Sequence, residues 1–342
     1  MNMPMPMDDP LAPLTWGRAF TTWRFAPLTT IVLVAVLLLY LVAVIAARRR
    51  GERWPVARTA CFAGGLAVVV AAIMGSPGIY GDGGLFWVHM IQHLMLIMVA
   101  PWMLCLGHPV TLLLRATTGT THARIDAIRR SPVIGLVTSP FTGLAAYAAV
   151  LFGVHLSSFM NAMMGSPALM VCEHALYVVG GYLYFSRLLT ADSPHRPLAY
   201  PLRLFSLFMG MSADTLVGIV LLQATAPPFP AWARMHPAWG RGPLTDIHDG
   251  GAVMWIGGDG LMFVMMIVVG AMWMLDRAPQ ASRAGAFLES ARQAALAGTG
   301  HERPGGEPAR ERLRVSGDVD EDSGALDAYN ALLARMNRPE GR

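Results

Sequence analysis

Phe86 to Gly107 reads FWVHMIQHLMLIMVAPWMLCLG. About 20 apolar residues in a helix cross the hydrocarbon of a bilayer, so this stretch is long enough to span it. It also carries two histidines, His89 and His93, four residues apart. On a helix that spacing places the two imidazoles roughly 40° apart around the axis and one turn apart along it, so both point the same way. Ionisable side chains inside a membrane are costly and by default mark a functional site. A hydrogen bond to a neighbouring helix is the plainer account of a single intramembrane histidine. For a same-face pair the functional reading is preferred, provided that the rest of the chain supplies partners.

The composition agrees with a membrane setting. Of 342 residues, 54% are hydrophobic and 14% charged, against about 25% charged in an average soluble domain. Mean hydropathy is +0.45. All 26 basic residues are arginine, and the net charge of +4 comes from arginines in loops rather than a nucleic-acid patch, so no nucleic-acid partner is expected. Cys61, Cys105 and Cys172 are scattered without a CxxC, which excludes a zinc knuckle or a disulfide framework. The first residues have no basic n-region and no small-residue cleavage site, so no removable signal peptide is expected.

Seven apolar spans follow in order: Thr29 to Ala47, Thr59 to Met74, Phe86 to Gly107, Pro132 to Val154, Ala168 to Leu189, Leu204 to Ala224 and Asp249 to Leu275. The expected fold is an all-α, polytopic membrane helical bundle in the plasma (inner) membrane. Residues 1–28 form an N-terminal segment, 29–275 the seven-helix domain, and 276–342 a soluble, largely disordered tail. In the tail, Leu326 to Met336 has apolar residues at helical spacing and reads as a short terminal or docking helix. Ser76 to Leu85 and Ala226 to His248 read as loops. Pro101 and Pro140 are expected to kink their helices, Asp249 to cap the seventh, and Gly250, Gly251, Gly257, Gly258 and Gly260 to permit close helix approach. One set of loops and the start of the tail hold fourteen arginines, the other set only Arg18, Arg24, Arg234 and Arg241. By the positive-inside rule the N-terminus lies outside and the C-terminus in the cytoplasm.

With that topology, His93 lies roughly 10 Å below the outer end of its span. Glu173 and His174 lie at a similar depth in the fifth span, beside Cys172 and Met170. His155 is expected at the outer end of the fourth span, and Asp246, His248 and Asp249 at the outer mouth of the seventh. Imidazole is the commonest metal ligand, and thioether or thiol neighbours bias a site toward Cu(I). The buried methionines are expected to pack, whereas Met3, Met5 and Met7 of the N-terminal segment resemble a Cu(I)-capturing tail, with Met160, Met163 and Met164 a weaker set. Deeper lie Asp214 and Asp259, with no basic partner at their height. At least one of them is expected to be protonated, or the pair to share a proton or a cation.

Four stretches then match a known pattern: HMIQHLMLIMVAPWMLCLGHP from His89, HLSSFMNA from His155, EHALY from Glu173 and DIHDGGAVMW from Asp246. In this order they resemble the caa3-type cytochrome c oxidase assembly factor family (CtaG), over roughly Thr59 to Leu275. The resemblance implies a non-enzymatic membrane protein that matures a haem–copper oxidase by handling copper, with oxidase subunits as partners. It implies His89, His93, His155, Glu173, His174 and Asp246 as the polar positions of the site. His248 and Asp249 depart from the family, which usually has Gln and an apolar residue there, and His248 adds a candidate ligand. Two other readings stay open. His93 and His174 could ligate a b-type haem, or Asp214 and Asp259 could continue a copper or proton pathway. Homo-oligomerisation is left open.

Overall fold

A computed structural model of the chain describes residues 11–189 and 198–276, and positions 326, 327, 329, 330 and 333. Met3, Met5 and Met7, and most of the tail, lie outside the described residues. Among the described residues there are helices and no strand. The chain divides into two units, Met1–Val269 and Gly270–Arg342. In the second, residues 270–276 and the five later described positions are helical, and the rest of the expected terminal helix lies outside the described residues.

Six helices are long and apolar enough to cross a membrane: α1 (Pro27–Arg49), α2 (Val56–Asp82), α3 (Phe86–Ala116), α5 (Pro167–Leu189), α6 (Tyr200–Leu222) and α7 (Pro243–Asp276). The protein is therefore an all-α polytopic membrane bundle. The remaining apolar helix, α4 (Pro140–His155), has 16 residues, which at 1.5 Å each is about 24 Å, short of the roughly 30 Å hydrocarbon.

The expected fourth span from Pro132 is split. Pro132–Val137 is a separate short helix, and Ser139 caps α4 by accepting the Thr142 N–H. Pro140 consequently sits in the first turn, where its missing N–H costs nothing, and it starts α4 rather than kinking it. Two expected loops are also partly helical. Ser76–Asp82 prolongs α2 after a bend at Gly75, with Pro77 in the first turn. Between α6 and α7, Pro230–Met235 is helical, and α7 starts at Pro243, so Asp249 lies inside α7 rather than capping it.

α3 and α7 each carry a five-residue π turn, at Met95–Val99 and Val253–Gly257. In α3, Pro101 has no N–H to offer the Ile97 carbonyl. The helix widens to a π turn at Met95–Val99 just upstream, as helices do where the i→i−4 ladder is broken. The Ile97 carbonyl and the Pro101 ring face Gly181 of α5, where any Cβ would overlap them. α6 and α7 cross as closely: a Cβ on Gly251 would stand 2.8 Å from the Gly218 carbonyl, and one on Gly218 2.8 Å from the Gly251 carbonyl. Gly250, Gly257 and Gly258 also lie against neighbouring groups, but a Cβ on Gly260 would meet nothing within 4 Å. These contacts bring α3, α5 and α7 together around one buried polar layer.

Candidate metal centre

His89 and His93 lie in the regular first part of α3, upstream of the π turn, and Glu173 faces them from α5. All three are fully buried. One ligand atom from each can be chosen so that all lie within 4.8 Å of one another. His93 Nε2 is 3.2 Å from Glu173 Oε1 and His89 Nε2 is 3.8 Å from Glu173 Oε2. No hydrogen bond satisfies these nitrogens or either carboxylate oxygen. His155, from the end of α4, completes the layer: its Nε2 is 3.2 Å from His93 Nδ1.

The hydrogen-bond chain fixes the tautomers. The Leu151 carbonyl, 2.9 Å from His155 Nδ1, can only accept, so Nδ1 carries the hydrogen. In the neutral ring His155 Nε2 is then an acceptor, and His93 must donate to it through Nδ1. That leaves His93 Nε2 with a lone pair and no hydrogen, 3.2 Å from a carboxylate oxygen. Two buried acceptors at that distance need a cation between them, either a proton or a metal ion. A buried carboxylate without a donor or a cation costs several kcal/mol. The donor set is two imidazole nitrogens and a carboxylate, a combination that suits copper, zinc or iron.

The surroundings close the site. Tyr177 lies against the His93 ring at 4.3 Å between centroids, and Trp232 against His89 at 4.7 Å. Trp232 sits on the short Pro230–Met235 helix, whose Ala231 N–H donates to Asn161 Oδ1. On the other side of His89, Nδ1 is 4.0 Å from Asp82 Oδ1, and Arg24 pairs with Asp82 at 2.8 Å. Arg24, Asp82 and Trp232 were not singled out from sequence, because each falls in a stretch read as loop or lead. Only the folding of those stretches over the site reveals them.

The other sequence candidates fall into separate places. His155 is buried in the site rather than at the membrane edge, because α4 ends at the depth of His93. His174 turns to Gln92, with its Nε2 3.1 Å from Gln92 Nε2. Asp246 accepts the Phe86 N–H at 2.7 Å and the Trp87 N–H at 3.2 Å, so it caps the start of α3. His248 Nε2 meets the Ala224 carbonyl at 2.9 Å, Asp249 pairs with Arg241, and Cys172 is exposed on the outer face of α5. Asp214 accepts a hydrogen bond from Tyr147 and Asp259 from Thr215, so each carboxylate has its own hydroxyl donor. Met160 and Met163 are wholly buried in the core.

Residues 38–276, about 70% of the chain, match the family described as cytochrome c oxidase caa3 assembly factor. The chain belongs to that family. Among relatives, an uncharacterized protein of Mycobacterium bovis is 27% identical over 338 residues, covering 95% of this chain and 46% of the relative. An uncharacterized protein of Mycobacterium tuberculosis is similar to the same extent. One from Mycobacterium leprae is 26% identical over 268 residues, 75% of this chain and 40% of the relative. The chain thus spans about half the length of the curated relatives it matches. No solved structure matches. All of the site just described falls within the matched region except Arg24. The family and the six spanning-length helices make this a multi-pass protein of the plasma membrane.

For this assembly-factor family member, the cap separates two kinds of polar residue. Asp246→Ala is expected to destabilise the fold by about 1–3 kcal/mol, because two backbone donors at the start of α3 lose their acceptor, while leaving any metal bound at the histidine layer unchanged per folded chain. Asp246→Asn, which keeps an acceptor, should recover most of that stability. Thermal unfolding and metal analysis of the same preparations check both.

Proposed function

We propose that the chain holds a copper ion between His89, His93 and Glu173 and passes it to a subunit of the haem–copper oxidase it helps to assemble. The observation that supports this most directly is His93 Nε2, with its lone pair, 3.2 Å from a Glu173 oxygen with neither hydrogen-bonded. The three buried groups would bind the ion as cargo. His155 fixes His93 through Nδ1, and Trp232 and Tyr177 keep the layer dry. Imidazole nitrogen serves copper in both oxidation states, and methionines Met3, Met5 and Met7 would raise the local supply of Cu(I). The arginine distribution supports seven crossings with the N-terminus outside, which puts the site in the outer half of the membrane. Reporter fusions at the two ends would test that sidedness.

The haem reading is less favoured, because its second axial candidate, His174, is bonded to Gln92, and the rings of Tyr177 and His155 pack against His93 where a macrocycle would lie. A pathway through Asp214 and Asp259 is also less favoured, since each is held by a hydroxyl. Asp214→Asn is expected to leave oxidase activity per inserted copy within about twofold of wild type.

His89→Ala and His93→Ala should each cut copper bound to the purified chain at least tenfold and lower oxidase activity in cells, at unchanged abundance of the chain in the membrane. Normal oxidase maturation in both variants would overturn the proposal. Removing Met3, Met5 and Met7 should matter only when copper is scarce. An equal defect at high copper would assign them to folding or insertion instead.

A further inference from the structure

At the end of the bundle where α1 stops, away from the histidine layer, a cavity of about 730 Å³ opens between the α1–α2 connection, the end of α3 and the helix Gly119–Arg129. Its wall carries three arginines, Arg50, Arg115 and Arg129, and His122, against one carboxylate, Glu52. We infer that this cavity binds a phosphate-bearing anion, presented by the headgroup of an anionic phospholipid or by a soluble phosphate compound.

The geometry arises from the chain ends of three helices. α1 closes on Arg48 and Arg49, and Arg50 follows as its C-cap. Arg50 Nη1 donates to the Arg115 carbonyl at 3.1 Å, which ties the α1 end to the α3 end. Arg50 makes no ion pair among the described residues, and its bond to the Arg115 carbonyl is to a neutral acceptor. Arg115 reaches Glu52 at 3.5 Å, with both side chains more than 40% exposed, an open pair that contributes little and that an anion can replace. Its guanidinium also lies 5.9 Å from the Trp54 ring. Arg129 is held by Asp126 at 2.6 Å, which orients it. His122 is bonded through Nδ1 to the Leu114 carbonyl. With Arg129 held by Asp126 and Arg115 by a long, exposed contact to Glu52, Arg50 is left without a carboxylate, and planar guanidinium groups match phosphate oxygens two at a time.

The position favours a lipid source. The cavity lies where two apolar helices, α1 and α3, end in arginine, the level at which phospholipid headgroups stand. Leu113 and Ile128, next to lining residues in sequence, are 44% and 62% exposed. Acyl chains would cover them while the phosphate entered the cavity. Basic pockets at helix ends recognise anionic headgroups by this division of labour.

The test uses the full chain purified in detergent and analysed by native mass spectrometry with phosphatidylglycerol, phosphatidylcholine or inorganic phosphate added. Wild type should retain phosphatidylglycerol over phosphatidylcholine at least tenfold. Arg50→Gln with Arg115→Gln should lose about tenfold of that preference. Arg18→Gln with Arg241→Gln, at the other end of the molecule, should lose none. Should the first double variant fail to fold, Arg50→Lys with Arg115→Lys keeps the charge and is expected to show a smaller loss, because an ammonium cannot bind bidentately. Inorganic phosphate at millimolar concentration that displaces the lipid identifies a soluble phosphate source. Failure to displace it identifies the lipid. Equal retention of both lipids by wild type, with no phosphate bound, or unchanged retention in the Arg50 and Arg115 variants, overturns the inference. Copper binding should not change in any arm, so this result is independent of the metal proposal.

Discussion

Glu173→Gln is expected to abolish oxidase maturation while leaving the chain in the membrane and more resistant to thermal unfolding than the metal-free wild type. The two effects have one cause. In the metal-free wild type, a buried carboxylate lies 3.2 Å from an imidazole nitrogen that carries a lone pair, an arrangement that is costly unless a proton sits between them. A glutamine in the same place offers an N–H to His93 Nε2, so one hydrogen bond replaces one acceptor–acceptor contact. Relieving an unsatisfied buried pair is worth about 1–3 kcal/mol, so a rise of several degrees in unfolding temperature is expected for the purified variant without metal. In the proposed site the same change removes the anionic ligand and turns an N–H toward His93 Nε2, so bound copper should fall more than tenfold. Thermal unfolding, copper content and oxidase activity are measured on one set of strains. A variant that loses stability and retains copper would show that Glu173 acts as a structural partner of the histidines and not as a ligand.

Gly181→Leu should have the largest effect on the fold itself. Gly181 of α5 lies where a side chain would overlap the Ile97 carbonyl and stand 2.8 Å from the Pro101 ring. That carbonyl belongs to the widened part of α3 and cannot retreat without undoing the turn. Forcing a larger group into a packed interface costs about 1–3 kcal/mol when the neighbours can move, and here the neighbour is backbone. The expected result is a loss of most of the membrane-inserted protein. Gly153→Ala is the matched control, because a Cβ there meets nothing within 4 Å. Replacing a helical glycine by alanine at such a site should stabilise the helix by about 0.5–1 kcal/mol. Quantitative immunoblotting of membranes reads both. Similar abundance of the two variants would mean that α3 and α5 do not pack at Gly181 as described.

The apolar periods made the bundle legible, and the four-residue spacing of His89 and His93 made the core of the site legible. Glu173 was found by matching depth along α5, which works because a straight helix converts residue number into height at a fixed rise. The same conversion misplaced His155. A cap at Ser139 starts α4 eight residues later than the apolar run suggests, and the helix ends inside the bundle rather than at its rim. Depth counting has no access to that, since it assumes that each apolar run is one helix crossing the whole bilayer. Asp246 is among the site positions that the family resemblance implies, and the structure has it accepting two backbone N–H groups. Its two backbone partners, Phe86 and Trp87, are about 160 residues away in sequence, so only the tertiary structure pairs them. Arg24, Asp82 and Trp232 were hidden for the same reason, each sitting in a segment whose local pattern is that of a loop.

X-ray absorption at the copper edge on the purified full chain tests the central claim most directly. The expected spectrum has a first shell of nitrogen and oxygen at about 2.0 Å with the outer-shell pattern of two imidazoles, lost in Glu173→Gln and in His93→Ala. A shell dominated by sulfur at about 2.3 Å, or the same spectrum in wild type and in both variants, would contradict it.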